Sequence, residues 1–424
     1  MKIFCLQAIL MLLSLSGFGQ ITSKSQFRDL MKQNESFAFV KKHALEVVAK
    51  GLNAGDGYGE VWIRDFNTFI ELALDTVPAP KIKENLLVFF KLQGLDGNIQ
   101  DGFIPKKYVQ SGGYEYFYSD LDTLHAGHKN TVETDQETSL IQAVYKYINK
   151  TKDASILHEK IGGETVVSRM GKAMNYLLDH RYSYRYGLIW GATTIDWGDV
   201  QPEHEWGVYL TSDTHYAIDI YDNAMFIIAL DNLMEMAPSY KGQFKPVRDQ
   251  IAKNARKYLW DNKNQKFIPH IYLNGSPFPS YWDENQVYYH GGTAVAIEAG
   301  LLSRSEIELS LQKMIANVKA SGAATIGLTV YPPYPLGFFK GKSMYPYGYQ
   351  NGGDWTWFGG RMIQQLIRFN FLNEAYTQML PMVERVKANN GFFEWYTEKN
   401  EPKGSGTFRG EAGVLYKAMV IMEE

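Results

Sequence analysis

Cysteine is almost absent from this chain of 424 residues, and the single one, Cys5, lies in an N-terminal apolar stretch. The rest of the chain therefore has no disulfide, no thiolate metal ligand and no cysteine nucleophile. A large net charge is absent too, because 43 Lys and Arg stand against 46 Asp and Glu. Without excess charge the chain has no electrostatic footprint for nucleic acids or anionic membranes, so we expect neither as a partner.

Two further kinds of pattern are missing. No glycine-rich phosphate loop follows a strand pattern, and no two histidines have the His-x-x-x-His spacing of a metal site. The sequence thus predicts no cofactor and no metal. No linker rich in proline and serine divides the chain, and no unit of 20–50 residues repeats. We therefore expect one domain over residues 21–424.

The first 20 residues have the pattern of a secretory signal. Lys2 precedes the apolar residues 3–15, and small residues lead up to Gly19 and Gln20. The apolar run is too short to span a bilayer, so the pattern predicts a signal peptide over residues 1–20 that is removed near Gly19 or Gln20. No second run of about 18 apolar residues follows. We expect a periplasmic or secreted protein that does not associate with the membrane after cleavage.

Helical periodicity and aromatic residues are abundant. Apolar residues recur at three- and four-residue spacing, which is typical of amphipathic helices. Aromatic residues make up 14% of the chain, which suits either a well-filled helical core or a cleft that stacks on sugar rings. The predicted helices are 23–51 (one long helix or a broken one), 65–74, 82–92, 134–148, 165–178, 222–236, 244–260, 291–302, 304–320, 355–371, 374–387 and 411–422.

Helices in sequential hairpins, twelve in number, predict an all-α (α/α)6 toroid, with an inner and an outer ring around a central cavity. Strand patterns are few and short, at 267–273 and 324–331. Because long loops in a compact domain are usually functional, we expect the long connections to gather at one rim. A two-domain helical protein is the structural alternative. The long connections, rich in Gly, Tyr and Trp, are 94–132, 182–221, 262–290, 323–354 and 389–410.

The first polar motif is the charged pair Arg64 and Asp65, which lies between Trp62-Ile63 and Phe66 at a helix start. Burying unpaired charge is costly, so such a pair needs a reason. In one interpretation Asp65 is a helix N-cap and Arg64 faces water. In the other, the cavity contains Arg64 and Asp65, and their guanidinium and carboxylate groups bind neighbouring sugar hydroxyls.

The second motif is the loop 194–199, in which Asp196 and Asp199 flank Trp197 and a glycine. An Asx-turn with a stacked Trp is one interpretation. The other is catalytic, since a glycosidase needs a carboxylic acid that stays protonated near neutral pH, and an aromatic wall raises the pKa of a carboxyl group. With Trp197 as that wall, we predict Asp196 as the general acid, and Asp199 as its competitor for the role.

The third motif is Glu394, a lone carboxylate inside the aromatic run 391–396 shortly before the last helix. A solvated loop Glu is the usual outcome, but the surrounding aromatic residues argue against full solvation. Across the cavity from Asp196, Glu394 can activate water as general base. In an inverting glycosidase the two carboxyl groups lie roughly 6.5–9.5 Å apart, which leaves room for that water.

A fourth motif, residues 349–355, leads into a predicted helix. Its glycine pair allows a ligand to approach the backbone closely, and its amide and carboxyl side chains offer partners for hydroxyl groups. A glycine turn with a helix cap at Asp354 is the structural alternative. The residues that we predict to bind substrate here are Gln350, Asn351, Asp354 and Trp355.

Several of these segments, in this order, resemble the alkaline/neutral invertases, glycoside hydrolase family 100. The resemblance covers WIRDF with its following helix and ENLLVFFKLQG, then Gly102-Phe103-Ile104-Pro105, and the segment 133–147 with Asp135. It continues through the loop that begins at Thr194, the segment 221–226, the Gln350–Trp355 element and the Phe393–Tyr396 element. More distantly, the chain resembles the glucosidase domain of glycogen debranching enzymes and other six-hairpin glycosidases.

The resemblance implies an inverting (α/α)6 glycoside hydrolase without a cofactor, acting on an α-glucoside or a related small glycan. It also implies Asp196 as general acid, Glu394 as general base, and Arg64 and Asp65 as sugar-binding residues of the central subsite. The further substrate-binding residues that we predict are Trp62, Asp135, Trp197 and Asp199. The chain departs from the family through a longer acidic and aromatic insert after Asp196 and through its signal peptide. These departures put sucrose in doubt as the substrate.

Two other functions are compatible with a helical toroid. A polysaccharide lyase or sugar epimerase would abstract a proton with Tyr or His, and product analysis distinguishes it from a hydrolase. A secreted glycan-binding protein without turnover would hold sugars through Trp62, Trp197 and Trp355. The candidate histidines of the lyase or epimerase are His125, His128, His204 and His215.

Overall fold

A computed structural model describes residues 20–109, 115–205 and 208–424. The predicted signal peptide lies outside this description except for its last residue. No helix within the described ranges has the length and apolarity that crossing a membrane requires.

Thirteen α-helices are the main elements of the described chain. They are α1 (Lys24–Gln33), α2 (Glu35–Ala49), α3 (Ile63–Ala73), α4 (Ala79–Lys91), α5 (Gln136–Thr151), α6 (Val166–His180), α7 (Ile220–Met236), α8 (Lys241–Tyr258), α9 (His290–Glu298), α10 (Arg304–Ser321), α11 (Thr356–Arg368), α12 (Leu372–Asn389) and α13 (Arg409–Glu423).

The strands of the described ranges are short and form one four-stranded sheet, one three-stranded sheet and five two-stranded sheets. They are β1 (Val61–Trp62), β2 (Gly102–Pro105), β3 (Tyr116–Ser119), β4 (Asp122–His128), β5 (Lys160–Ile161), β6 (Glu164–Thr165), β7 (Tyr182–Ser183), β8 (Leu188–Ile189), β9 (Gly191–Ala192), β10 (Tyr216–Ile218), β11 (Trp260–Asp261), β12 (Lys266–Phe267), β13 (Ile271–Tyr272), β14 (Tyr288–Tyr289), β15 (Val330–Tyr331), β16 (Trp395–Tyr396) and β17 (Pro402–Lys403).

Alternate helices form a closed inner ring. Helices α3, α5, α7, α9, α11 and α13 each contact the next, and α13 returns to contact α3. Outside them, α2, α4, α6, α8, α10 and α12 each pack against one or two helices of the inner ring. The predicted all-α, six-hairpin architecture is therefore confirmed.

Burial differs between the two rings as their positions require. In the inner helix α9, every residue from His290 to Ile297 is buried. In the outer helix α8, only Phe244, Ile251, Asn254 and Ala255 are buried, so one narrow face meets the core. A helix that is apolar all round belongs inside, and one with a single apolar face belongs at the surface.

The structure settles one prediction and corrects another. Of the two alternatives for residues 23–51, the broken helix is confirmed: the extended backbone of Asn34 ends α1, and its side chain accepts the Ser36 N–H at 2.9 Å to cap α2. The predicted strand 267–273 is two short pieces, β12 and β13, while only β15 forms within 324–331.

The rim that carries the candidate site lies at the N-terminal ends of the inner helices. Here the four-stranded antiparallel sheet, in the order β1-β2-β4-β3, places Trp62 opposite Gly102 and Gly102 opposite His128. A Cβ at Gly102 would lie 2.4 Å from the Trp62 ring, so this close approach requires glycine. The segment before α11 pairs with β16, since Asp354 and Tyr396 exchange backbone hydrogen bonds of 2.8 and 2.9 Å.

Candidate active site

A cavity of about 360 Å³ opens at this rim of the helical ring. Its walls come from the segments that precede α3, α5, α11 and α13, together with the loop after Asp196. The lining is mostly aromatic and acidic, a composition that suits an amphipathic ligand with many hydroxyl groups. Its aromatic residues are Tyr58, Trp62, Trp197, Tyr349, Trp355, Trp357, Trp395 and Phe408, and its carboxylates are Asp65, Asp101, Asp199, Glu205 and Glu394.

Trp197 is the centre of the aromatic wall. Its ring meets that of Trp355 edge-on, with centroids 4.7 Å apart, and lies 5.3 Å from that of Trp357. The Arg64 guanidinium is 5.8 Å from the Trp197 ring centroid. The indole N–H groups of Trp62, Trp197 and Trp357 are buried and have no hydrogen-bond partner in the described protein. Buried donors of this kind normally have a partner, so these three are exceptions to the usual pattern.

Glu394 lies in the cavity wall and is 5% exposed. Its Oε2 accepts a hydrogen bond of 2.7 Å from the Tyr58 hydroxyl and one of 3.4 Å from the Ser405 N–H. Gly404, with φ of 70°, passes so close that a Cβ there would lie 2.4 Å from Oε2. Burial raises the pKa of Glu394, the two donors oppose that change, and the charge of Asp199 adds to it.

Asp199 lines the same cavity, and a quarter of its side chain is exposed. Gln350 donates to its Oδ1 at 2.7 Å. Its other oxygen, Oδ2, lies 3.9 Å from Nη2 of Arg64. Asp199 thus has one oxygen fixed by an amide and one directed towards the charged part of the cavity.

Asp196, three residues earlier, does not line this cavity. Its two carboxylate oxygens accept the N–H groups of Gly291 and Gly292, each at 2.6 Å, at the start of α9. The backbone of Asp196 is left-handed, with φ of 55°. Burial raises its pKa to about 7, although the two backbone donors oppose the change. The side chain predicted as general acid therefore caps a helix of the inner ring, at the two glycines that follow the first residue of α9.

Arg64 and Asp65 are both buried at the first turn of α3 and line the cavity. Arg64 forms an ion pair with Glu133, and its Nη1 lies 3.7 Å from Asp135. Burial raises the pKa of Asp65 to about 8, with Arg64 opposing, and its Oδ1 has no partner in the described protein. The N-cap residue of α3 is Trp62, so Asp65 is not the helix cap.

The remaining predicted ligands lie behind the cavity wall. Asp135 accepts the Tyr221 hydroxyl at 2.8 Å, and Asn351 bonds the backbone of Tyr334 at 2.7 and 3.0 Å. Asp354 accepts two bonds from Thr325 and pairs with Arg385 at 3.0 Å. Of the predicted site residues, the cavity thus brings together Trp62, Arg64, Asp65, Trp197, Asp199, Trp355 and Glu394; Gln350 touches Asp199 from behind, and Asp135, Asp196, Asn351 and Asp354 support the wall.

Tyr58 is the functional candidate that sequence reasoning missed. It lies in a glycine-rich loop without helical or strand periodicity, so its contact with Glu394, 336 positions away, has no local signal. The loop is tied to the end of the chain, because Arg409 N–H donates to Ala54 O at 2.7 Å. Trp357 also lines the cavity, but it is not among the predicted site residues because it falls inside a predicted helix.

Of the four candidate histidines, His128 lines the cavity, and it lies 3.5 Å from Asp101. His125 contacts Asp122, while His204 and His215 contact Thr211 and Glu203. A pair of facing histidines is therefore not present among the described cavity residues. No group of three or more His, Cys, Asp and Glu side chains within the described ranges is arranged to hold a metal.

Comparison with known proteins locates the similarity in the three-dimensional structure. No protein-family model and no curated protein matches the chain. A glycoside hydrolase family 63 mannosylglycerate hydrolase from Thermus thermophilus, solved with glucose, has a TM-score of 0.64 at 16% identity, over 89% of this chain and 99% of that one. A rhamnosidase from Klebsiella oxytoca with rhamnose bound has a TM-score of 0.58 at 11% identity, over 90% and 63% of the two chains.

The chain has the six-hairpin glycosidase fold. At these identities the likeness concerns the fold, and a fold of this kind does not by itself fix the reaction. The narrower resemblance to alkaline/neutral invertases stays a prediction. The case for an activity therefore depends on the cavity residues themselves.

Proposed function

We propose that this protein is a glycoside hydrolase that cleaves a small α-glycoside with inversion at the anomeric carbon. The observation that carries the proposal is the pair Asp199 and Glu394, two carboxyl groups that line one aromatic cavity, where the charge of Asp199 helps to raise the pKa of Glu394. The six-hairpin fold of the mannosylglycerate hydrolase and the rhamnosidase supports the same class of reaction. As predicted from its first residues, we propose that the mature chain acts after export, in the periplasm or outside the cell.

Asp199 is the proposed proton donor, in place of Asp196. A general acid must reach the glycosidic oxygen, and Asp199 faces the cavity, whereas both oxygens of Asp196 are held by backbone N–H groups of α9. Gln350 holds Oδ1 of Asp199, which leaves Oδ2 on the side of the cavity. The protonated acid gives its proton to the leaving-group oxygen as the glycosidic bond breaks.

Glu394 is the proposed general base. Its Oε2 accepts the Tyr58 hydroxyl and the Ser405 N–H, and both donors favour the ionised form. Burial acts in the opposite direction and makes the carboxylate a stronger base. The ionised Glu394 removes a proton from a water molecule as that water attacks the face of the sugar opposite to the leaving group.

The sugar itself is bound by the aromatic wall. The faces of the cavity's tryptophan rings stack on the C–H faces of the sugar. Arg64 and Asp65 line the same cavity and offer charged partners for the sugar's hydroxyl groups.

The test is hydrolysis by the purified mature chain of a panel of sucrose and α-linked glucosides, mannosides and rhamnosides, followed by NMR that resolves the anomer of the first product. We expect a β-configured reducing sugar as the initial product from an α-glycoside. An α-configured initial product would contradict inversion. An unsaturated or epimerised sugar would establish the lyase or epimerase, and tight binding without turnover would establish a glycan-binding protein.

A further inference from the structure

The cationic side chains of the cavity are the groups that could bind an anionic aglycone. Arg64 and Lys129 are the Arg and Lys residues that line the described cavity. Arg64 is engaged by Glu133, with Asp135 and Asp199 within 4 Å of its guanidinium. Its charge is therefore already compensated by the protein.

The ammonium group of Lys129 uses all of its hydrogen-bond donors within the protein. An ammonium group has three N–H donors. The Nζ of Lys129 donates to Ile99 O at 2.7 Å, to Gln136 Oε1 at 2.8 Å and to Glu137 Oε1 at 2.8 Å. All three donors are thus used within the protein, and none points to a ligand.

Around the proposed proton donor the cavity has both apolar and polar lining. Val200 follows Asp199 directly, and Val208 and Met344 line the same cavity. Gln350 and Arg64 lie 2.7 and 3.9 Å from the Asp199 carboxylate. Because the proton donor must touch the leaving group, the aglycone lies in this part of the cavity. Glu205, which is mostly exposed and lies 3.7 Å from Lys342, also lines the cavity.

We propose that the cavity accepts glycosides with an uncharged aglycone and discriminates against aglycones that carry a carboxylate. An anionic aglycone would find both cations of the described cavity already next to carboxylates, Arg64 beside Glu133, Asp135 and Asp199, and Lys129 beside Glu137. It would also face Glu394, which must be ionised in order to act as base, and like charges in a partly desolvated site repel strongly. This inference rests on the proposed glycosidase function and adds the class of aglycone to it.

The test compares matched substrates that differ only in charge. Glucose, mannose and rhamnose are each linked α to glycerol and to glycerate, and kcat/KM is measured for each pair at pH 7. We expect the glycerol compound to be better by about tenfold or more. An equal or higher kcat/KM for the glycerate compound would overturn the inference while leaving the glycosidase function in place. If neither member of any pair is bound or hydrolysed, both proposals fail.

A charge-reversal variant tests the same inference in the other direction. Glu205→Lys adds an uncommitted cation at the mouth and should reduce the preference for the neutral aglycone severalfold. The matched control is Glu308→Lys, because Glu308 is exposed on the outer helix α10 and changes the net charge equally. An unchanged preference in Glu205→Lys, in a variant that unfolds at the wild-type temperature, would also overturn the inference.

Discussion

Asp196 and Asp199 are three positions apart, yet they belong to two regions with opposite physical character. The region behind the loop is closed, and there the Asp196 carboxylate is held between two backbone N–H groups at the start of α9. The region in front is the aromatic cavity, where Asp199 is partly exposed and shares the space with Glu394. The same residue type thus holds the start of a helix in one place and lines the cavity in the other.

The comparison of Asp196 with Asp199 indicates that a pKa raised by burial is not a sufficient reason to propose a carboxyl group as catalytic. Burial raises the pKa of Asp196 to about 7, a value that would suit a general acid. What separates the two residues is access, since proton transfer requires hydrogen-bond reach of the substrate. In choosing a proton donor, access to the cavity is therefore the first criterion, and the pKa of the carboxyl group is the second.

The largest expected effects concern the two cavity carboxyl groups. Asp199→Asn and Glu394→Gln should each lower kcat by about 10²–10⁴-fold on glycosides with poor leaving groups. On the corresponding glycosyl fluoride, whose leaving group needs no proton, Asp199→Asn should regain most of its activity and Glu394→Gln should not. Steady-state kinetics on both substrates is the measurement.

The matched control for this pair is Glu401→Gln, which removes an exposed charge from the same C-terminal hairpin. It should behave as the wild type. The opposite pattern, in which the fluoride restores Glu394→Gln, would exchange the roles of acid and base.

The next prediction concerns the free energy of unfolding, and it compares Asp196 in the closed region with Asp199 in the cavity. In Asp196→Asn, the amide replaces one acceptor of a backbone N–H with a donor, so the free energy of unfolding should fall by about 1–3 kcal/mol. In Asp199→Asn, it should stay within about 0.5 kcal/mol, since that carboxyl group is partly exposed and away from the core. Urea unfolding followed by circular dichroism measures both values. A fully stable but inactive Asp196→Asn would return the proton-donor role to Asp196.

A smaller effect concerns the hydroxyl that holds Glu394. Tyr58→Phe removes a donor to the ionised carboxylate, so the pKa of Glu394 should rise further above its ordinary range. Since the base must be ionised, activity appears only as the pH rises through that pKa. The acidic limb of kcat/KM should therefore move to higher pH, with a loss of about tenfold below its midpoint.

Tyr145→Phe provides the control, because the Tyr145 hydroxyl donates to Glu235 at 2.9 Å on the protein surface. Its pH profile should coincide with that of the wild type. A Tyr58→Phe profile that keeps the wild-type midpoint would show that the hydroxyl does not act on the base.

The smallest expected effect concerns the aromatic wall. Trp62→Phe removes an indole N–H and part of a stacking surface, so KM should rise about fivefold, equivalent to roughly 1 kcal/mol, with kcat little changed. Trp190→Phe is the matched control, because Trp190 stacks near Arg181 and does not line the cavity. A change in kcat larger than the change in KM would place Trp62 closer to the reacting atoms than the proposed stacking role requires.

Much of the architecture could be predicted from the sequence because helical periodicity is a local property. The twelve predicted segments account for the helices of both rings, and the segment 23–51, predicted as one long helix or a broken one, is broken by the cap at Asn34. The small sheets could not be predicted, since strands such as Val61–Trp62 are two residues long and pair with the distant segment Gly102–Pro105.

The candidate site could be predicted only in part, for a related reason. Motifs such as Arg64-Asp65 and Glu394 stand out because charge among apolar residues is unusual. Whether Asp196 or Asp199 lines the cavity depends on the path of the loop. The loop includes a left-handed backbone at Asp196, which the residue pattern does not indicate. The ligand set Asn351 and Asp354 shows the same limit, since their polar atoms are used by the protein itself.

The return of α13 to α3 has a consequence for how the molecule is made. Tyr58 and Glu394 contribute to one pocket from nearly opposite ends of the polypeptide. During synthesis, five helices of the inner ring are made before the sixth, α13, which closes the ring. A ribosome-bound fragment that ends before residue 394 therefore lacks the closed ring and holds only Asp199 of the proposed catalytic pair.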